Sequence, residues 1–306
     1  MLYLKYFADF PIEKRRLARI LKSMPHVYID NYGQKVSFIS DDLRIIGTLY
    51  GVEGNGKNPG IIFLHGSSPY GRKLALYRIL GRKFAECGYI TLCIDFRGFG
   101  DSEDPSTNGP EIFDFCQDVS NAIDFMHSIN DVDTSKIYLI GHSLGGNAAF
   151  VQGAKDQRVK KVVAIGPSRR VKERVLPELD QIIDEGIQYV DAHNYRVSRD
   201  MKLKGRVSVE VIKNSILSML IDNHKAYYAQ ERHKPVLLVD GDLENEQDQL
   251  FLKLFYEQLT PPTDYKTFKN VAHYHNTINW DGRSLVLYDP QAINEIVDFI
   301  DNWILE

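Results

Sequence analysis

The sequence predicts an α/β fold: a doubly wound, mostly parallel sheet with an inserted helical cap. Short runs that are wholly apolar alternate along the chain with longer stretches of helical spacing. Runs that are apolar on both faces are typical of parallel strands covered by helices on each side. The alternation breaks once, over residues 167–234, where a single crossover helix would need far fewer residues. A sheet of this kind binds its ligands beyond the carboxyl ends of its strands.

The chain is expected to begin with an N-terminal arm, residues 1–34, that carries one short amphipathic helix over residues 11–23. A β-hairpin follows, because residues 35–40 and 43–50 have strand character and a turn at Asp41 joins them. These two strands are predicted to be antiparallel and to open the sheet.

Five apolar runs and one later segment predict the remaining strands. In chain order they are residues 61–65, 89–95, 136–141, 161–166, 235–241 and 265–269. Helical spacing is found between them at residues 73–87, 112–129 and 144–154. We expect right-handed crossovers that place these helices on both faces of the sheet.

Residues 167–234 are predicted to form the inserted cap. The segment is rich in charges of both signs. Its helical spacing lies at residues 177–190, 207–220 and 223–230. One core domain, made of residues 35–166 and 235–306, is therefore expected to be divided in sequence by the cap.

The composition of the 306 residues excludes several classes of protein. Hydrophobic residues make up 43% and charged residues 25%, as in globular domains, which excludes disordered and collagen-like chains. The net charge of −4 is too balanced for a nucleic-acid footprint or a polybasic membrane surface, and no apolar run is long enough to predict membrane insertion. Three cysteines without a C-x-x-C pair fit free thiols in a reducing compartment. We therefore expect a cytoplasmic protein whose partner is a small molecule.

A nucleophile elbow is predicted at residues Gly141–Gly146, called the elbow below. The predicted strand 136–141 leads directly into Gly-His-Ser-Leu-Gly-Gly, and helical spacing follows at once. The glycines two residues before and after Ser143 let strand and helix approach closely around a turn that exposes the serine oxygen. The helix N-terminus favours negative charge at this oxygen. The amide of Leu144, which follows the nucleophile, is expected to be one donor of an oxyanion hole.

An acid and a base should follow Ser143 in that order, because a serine hydroxyl needs a base that is itself oriented by a third group. The predicted strand 235–241 ends in a run of carboxylates. The candidate acids are Asp240, Asp242 and Glu244. The predicted strand 265–269 is followed by the two candidate bases, His273 and His275.

Several ordered motifs make the sequence resemble the α/β-hydrolase superfamily, in particular its small carboxylesterase and acylaminoacyl-peptidase-like members. Beside the elbow, the matching motifs are His65-Gly66-Ser67, an Asp-x-Arg-Gly-x-Gly-x-Ser segment at Asp95–Ser102, Gly241–Glu244 at the family's Gly-x-x-Asp position, and Asn270–His273 at its Gly-Ala-x-His position. The resemblance covers residues 35–166 and 235–306 and leaves out the predicted cap.

The resemblance implies the catalytic acid and base. Glu244 stands at the acid position, where Asp is usual in the family and Glu is rarer, and Asp242 and Asp240 remain alternatives. His273 stands at the base position, and His275, two residues further on, is its competitor.

The resemblance also implies how an oxyanion is bound. In related enzymes the residue after the His-Gly pair supplies a second N–H group, which here is that of Ser67, beside the N–H of Leu144. Arg97 and Asp101 are expected to be structural, because acyl transfer has its parts elsewhere. No cofactor or metal is expected, since the chain has no complete dinucleotide, P-loop, calcium or zinc motif.

The sequence therefore predicts a serine esterase that cleaves a carboxylic ester of a small to medium, uncharged substrate through an acyl-enzyme. Two alternatives stay open: an amidase or acyl-peptidase with the same triad, and a catalytically inactive α/β-hydrolase that binds a ligand. The substrate itself is not readable, because specificity would reside in the predicted cap.

Overall fold

The computed structural model describes the greater part of the chain. The described residues are 26–28, 33–52, 56–66, 70–103, 114–167, 234–244, 246–259, 262–279 and 285–306. The predicted helix at 11–23, Ser67 and all but the two end residues of the predicted cap lie outside them.

Eleven strands are found in the described residues, and eight of them form one large sheet. They are β1 (His26–Tyr28), β2 (Gln34–Ser40), β3 (Leu43–Tyr50), β4 (Asn58–Leu64), β5 (Ile90–Ile94), β6 (Val132–His142), β7 (Val159–Ile165), β8 (Val236–Gly241), β9 (Thr263–Phe268), β10 (Thr277–Asn279) and β11 (Leu285–Tyr288). The order in the large sheet is β2-β3-β5-β4-β6-β7-β8-β9. Strand β3 pairs antiparallel with β2 and β5, and all later neighbours are parallel. The mostly parallel sheet and its opening hairpin are therefore confirmed.

Five α-helices and one short 3₁₀ turn accompany the strands in the described ranges. The helices are α1 (Ala75–Glu86), α2 (Phe115–His127), α3 (Leu144–Lys155), α4 (Glu246–Gln258) and α5 (Pro290–Leu305), and the turn is Gly71–Lys73. The side chain of Asp114 caps α2 by accepting from the amide of Gln117. Asp289 caps α5 in the same way, and Pro290 follows at the first helical position, where it costs no hydrogen bond.

The core consists mainly of two apolar clusters on opposite faces of the large sheet. One cluster joins Leu80 of α1 and Ile300 of α5 to Phe63 of β4. The other joins Ile123 of α2 to the preceding residue of β4, Ile62. Successive strand residues point to opposite faces, so helices cover the sheet on both sides and the doubly wound architecture is confirmed.

The structure adds elements that the sequence analysis did not predict. Strands β10 and β11 form a second, three-stranded sheet with β1, so the predicted strand at 265–269 is the last of the large sheet but not of the chain. Strands of three or four residues are too short to show an alternating pattern, which explains why they were missed. Within the described ranges, no helix combines the length and apolar character needed to cross a membrane.

Candidate active site

The elbow joins β6 to α3, and Ser143 lies at its tip. This serine has φ 53° and ψ −117°, a conformation that L-residues rarely adopt and that costs about 1–3 kcal/mol. Its amide donates to the carbonyl of Ile165 in the neighbouring strand β7 at 2.8 Å. A Cβ at Gly141 would lie 2.0 Å from the carbonyl oxygen of Gly145, and one at Gly145 would lie 2.2 Å from that of Leu64. Strand and helix can therefore approach this closely only because both positions are glycine.

The N-terminus of α3 begins directly after Ser143. Leu144 is the first helical residue, so its amide is one of the four that have no partner inside the helix. Partial positive charge collects at such an end and favours an oxyanion beside it. The backbone at Leu144 is thus suited to the donor role expected for it.

The His-Gly pair after β4 lies against the elbow. A Cβ at Gly66 would be 3.0 Å from the Cβ of Ser143. The His65 ring accepts from the amide of Phe96 at Nε2, at 3.0 Å, and therefore donates from Nδ1 to the Gly66 carbonyl, at 2.7 Å. Burial lowers the pKa of His65 to about 4, so the ring is neutral at pH 7 and holds the Gly66 carbonyl in place.

His273 and Glu244 form a hydrogen-bonded pair. The Nδ1 atom of His273 lies 2.9 Å from Oε1 of Glu244, and the glutamate side chain is only 6% exposed. A carboxylate accepts, so Nδ1 carries the proton and Nε2 is left as the basic atom. Gly166, at the end of β7, faces the pair, because a Cβ there would lie 3.2 Å from Glu244 Oε1 and from His273 Nδ1.

The two alternative acids make other contacts. Asp242 is exposed, and its Oδ1 accepts from the amide of Asn270 at 2.5 Å. Asp240 is fully buried in β8, and its Oδ2 accepts from the hydroxyl of Tyr265 at 3.3 Å. Of the three candidate acids, Glu244 is the one with a hydrogen bond to a candidate base.

Residues Asn270–Asn276, called the histidine loop below, carry His273 between β9 and β10. Asn270, His275 and Asn276 all have positive φ, at 59°, 48° and 54°. The Asn276 side chain stabilises this path, since its Oδ1 accepts from the amide of Ala272 at 3.2 Å and its Nδ2 donates to the carbonyl of Asn270 at 2.9 Å. His275 is only 1% exposed, and burial lowers the pKa of its imidazole to about 4. A buried neutral ring of this kind is poorly placed to exchange protons with a substrate.

The ring of His142, the elbow residue before Ser143, packs against the histidine loop. Its ring centroid lies 4.6 Å from that of His273, and its Nε2 lies 2.8 Å from the carbonyl oxygen of His273. Burial, followed by the nearby His273 and His275, lowers the pKa of His142 well below its usual range. The loops after β4, β6 and β8 and the histidine loop after β9 thus meet at the carboxyl end of the sheet.

Arg97 and Asp101 are held in ion pairs. The Nη2 atom of Arg97 lies 2.7 Å from Asp118 Oδ1 and 3.0 Å from Asp41 Oδ2. Asp101 lies 3.1 Å from the guanidinium of Arg72. These contacts agree with the structural role expected for both residues, because they bind the turn after β5 to α2 and to the 3₁₀ turn.

Three further residues at this site were not singled out from the sequence: Tyr77, Gly166 and Asn276. None belongs to a recognisable motif. Tyr77 and Gly166 contact residues distant in sequence, and Asn276 contacts backbone groups four and six residues away within its own loop. Within the described ranges, no group of three or more His, Cys, Asp or Glu side chains is arranged to hold a metal ion.

The chain matches one family model and several curated relatives. The family model of the serine aminopeptidases S33 matches residues 58–223. Esterase EstD of Thermotoga maritima is 21% identical over 293 residues, which cover 91% of this chain and 70% of that protein. The uncharacterized 31.7 kDa protein of the traX-finO intergenic region of Escherichia coli is 35% identical over 112 residues, or 37% of this chain and 38% of that protein.

A likeness to solved structures confirms the fold. The structure of DcsB in complex with its substrate analogue aligns with a TM-score of 0.65 at 20% identity, covering 89% of this chain and 98% of that chain. At this identity the likeness speaks for the fold alone, and the fold is the predicted α/β-hydrolase fold. The first curated relatives are matched over 38% to 47% of their own length.

Proposed function

From the membership of this chain in the serine aminopeptidase S33 family of α/β-hydrolases, we propose that it is a serine esterase that acts through an acyl-enzyme. The observation that carries the proposal is the His273–Glu244 hydrogen bond beside an elbow that holds Ser143 at positive φ. The residue before Ser143, His142, packs on the oriented imidazole of His273, which places a candidate base near the hydroxyl nucleophile that it would activate.

In the proposed reaction, Ser143 Oγ attacks the ester carbonyl while Nε2 of His273 takes the hydroxyl proton. Glu244 holds the imidazole through Nδ1–H and stabilises the imidazolium that forms. His273 then gives the proton to the departing alkoxide, so that an alcohol leaves and an acyl-serine remains. His273 then takes a proton from a water molecule that attacks the acyl-serine. It returns this proton to Ser143 Oγ as the carboxylic acid leaves, which restores the free enzyme.

The negative charge of each tetrahedral intermediate would be bound by backbone amides. Leu144 supplies the first from the N-terminus of α3. The amide of Ser67 remains the predicted second donor, although this residue lies outside the described part of the chain.

The proposed substrate is a small to medium, uncharged carboxylic ester. The EstD relative carries the name esterase, whereas the family model is named for an aminopeptidase, and this name favours amide or peptide bonds as the second candidate. Both bonds would use the same acyl-serine. A panel of p-nitrophenyl esters and aminoacyl-p-nitroanilides, compared by kcat/KM, separates the two candidates.

The test of the proposed function is Ser143→Ala, assayed with p-nitrophenyl acetate and butyrate. We expect kcat to fall by at least about a thousandfold, because removing a nucleophile leaves only binding and the oxyanion donors. Ser135→Ala, in an exposed part of β6, is the matched control and should keep full activity. Turnover by Ser143→Ala at the wild-type rate, or failure of a fluorophosphonate probe to label Ser143 in the folded protein, would overturn the proposal.

A further inference from the structure

A chain of hydrogen bonds runs behind Ser143 and connects the His-Gly pair to the histidine loop. The amide of Gly66 donates to the hydroxyl of Tyr77 at 2.7 Å. This hydroxyl lies 2.8 Å from Nδ1 of His142, and Nε2 of His142 lies 2.8 Å from the carbonyl oxygen of His273. This series of hydrogen bonds therefore starts at Gly66, which precedes the proposed second oxyanion donor in the sequence, and ends on the backbone of the proposed base.

The groups at the two ends of this series determine which atom donates in each hydrogen bond. The His273 carbonyl can only accept, so Nε2 of His142 must carry a proton and donate. The ring is fully buried, and burial lowers its pKa well below the usual range, so it is neutral and its Nδ1 is an acceptor. Tyr77 then donates to Nδ1 and accepts from Gly66. Each polar atom in the chain is satisfied in one arrangement.

The surroundings of His142 leave it no role as a proton donor or acceptor for a substrate. Both ring nitrogens are already engaged, and the ring is buried. The titratable groups that face it are Tyr77 from α1, Glu244 from the loop after β8, and His273, Tyr274 and His275 from the histidine loop. His142 is thus placed to act on the backbone of the histidine loop.

We propose that Tyr77 and His142 are positioning residues. Through their hydrogen bonds they fix the backbone of His273 relative to Gly66, next to the nucleophile Ser143. The inference rests on the proposed function and adds to it two residues that do not touch the substrate. Three residues of the histidine loop have positive φ, and strained conformations persist only where surrounding contacts hold them, so the contact at His273 itself helps to fix its backbone. Buried hydrogen bonds of this kind are strong, and a displacement of about 1 Å at a catalytic group can reduce the rate about a hundredfold.

Four variants test the inference. Tyr77→Phe removes the hydroxyl. His142→Asn places an amide near the former Nδ1 and keeps the partner of Tyr77, but it is too short to reach His273. His142→Gln places an amide N–H near the former Nε2 and keeps the donor to His273. Tyr89→Phe is the matched control, because the Tyr89 hydroxyl makes a 2.7 Å hydrogen bond to Asp301, away from the site.

We expect kcat to fall about tenfold in Tyr77→Phe and about a hundredfold in His142→Asn, with KM within about twofold of wild type. His142→Gln should recover most of the lost kcat. Tyr89→Phe should lower the unfolding temperature less than Tyr77→Phe, because its partner Asp301 is only partly buried, and should leave kcat unchanged. Equal effects of Tyr77→Phe and Tyr89→Phe on kcat, or no recovery in His142→Gln, would overturn the inference.

A second readout does not depend on activity. In ¹⁵N-histidine-labelled protein at pH 7, His142 should show the neutral ring with the proton on Nε2, and the His273 Nδ1–H bonded to Glu244 should give a low-field proton signal. That signal should persist in His142→Gln and disappear in His142→Asn. If wild type lacks esterase and amidase activity but these signals behave as expected, the proposed function fails and the positioning role stands. A proton on Nδ1 of His142, or a low-field signal unchanged in His142→Asn, refutes the positioning role.

Discussion

The elbow and the histidine loop each carry one side chain of the proposed triad, at a residue with positive φ or close to one, but they are built differently. In the elbow, the conformation of Ser143 is imposed by glycines whose missing side chains let β6 and α3 come together. In the histidine loop, three residues other than glycine take positive φ, and the side chain of Asn276 supplies the compensating hydrogen bonds.

Because of this difference, substitutions should affect the two regions in different ways. Any side chain added at Gly145 meets backbone, which belongs to the sheet and cannot move aside. The polar contacts of the histidine loop can instead be removed one at a time, at about 1–3 kcal/mol for each buried group left without a partner. We therefore expect substitutions at Gly141 and Gly145 to prevent folding, and histidine-loop variants to fold with graded losses of activity or stability.

The largest expected effect comes from Gly145→Ala in the elbow. Its Cβ would lie 2.2 Å from the Leu64 carbonyl oxygen, so the variant should lose more than about 4 kcal/mol of unfolding free energy or fail to fold. Gly146→Ala is the matched control, since its Cβ would lie 3.2 Å from the Gly141 carbonyl and alanine favours a helix by about 1 kcal/mol. Urea unfolding followed by circular dichroism measures both. Equal stability of the two variants would show that the close approach at Gly145 does not constrain the elbow.

The elbow was predictable from the sequence because its geometry permits only particular residue types at particular positions. Close approach demands glycine at Gly141 and Gly145, and the strand before and helix after them are visible as periodicities. The same holds for the parallel strands, whose double burial leaves continuous apolar runs. Where backbone geometry excludes all but one residue type, a single sequence is enough.

The histidine loop was predictable only in outline. Chain order indicated where an acid and a base should fall, but the choice between His273 and His275, or between Asp242 and Glu244, depends on which side chains meet across the loop. Tyr77 was not predicted at all, because its partners lie in other parts of the chain. Contacts between distant polar side chains leave no periodicity in the sequence.

A smaller effect is expected from Gly166→Ala, which tests the proposed acid–base pair from outside the histidine loop. Gly166 has φ 47°, and its Cβ would lie 3.2 Å from both Glu244 Oε1 and His273 Nδ1. Contacts this tight should displace the pair by a few tenths of an ångström and reduce kcat by about tenfold to a hundredfold, while the protein stays folded.

Gly88→Ala is the matched control for this variant. Gly88 also has positive φ, at 95°, but a Cβ there meets nothing within 4 Å. Both variants should lose about 1–2 kcal/mol of unfolding free energy from the strained backbone, and only Gly166→Ala should lose activity. If both lose kcat to the same extent, the loss comes from general destabilisation and not from the His273–Glu244 pair.

The smallest effect is a pH dependence of stability that comes from His275 within the histidine loop. Burial lowers its pKa from 6.5 to about 4, so the unfolded chain binds a proton between these values and the folded protein does not. The stability associated with the neutral ring is complete above pH 6.5 and is lost as the pH falls towards 4. Asparagine tolerates the positive φ at this position, so His275→Asn removes the ring without new strain. Between pH 7 and pH 5 the unfolding free energy of wild type should fall by about 2 kcal/mol more than that of this variant.

His127→Asn is the control for the same measurement, because His127 is only partly buried and should give a smaller difference. Urea unfolding at pH 7, 6 and 5 gives the pH dependence of the unfolding free energy for wild type and both variants. The contributions of the other buried histidines cancel in the comparison, because all three proteins share them. A steeper pH dependence in His275→Asn than in wild type would mean that His275 is protonated in the folded protein. It would then be a charged neighbour of Glu244 and would compete with His273 as the base. The histidine loop would in that case carry two candidate bases, and its polar contacts would do more than position His273.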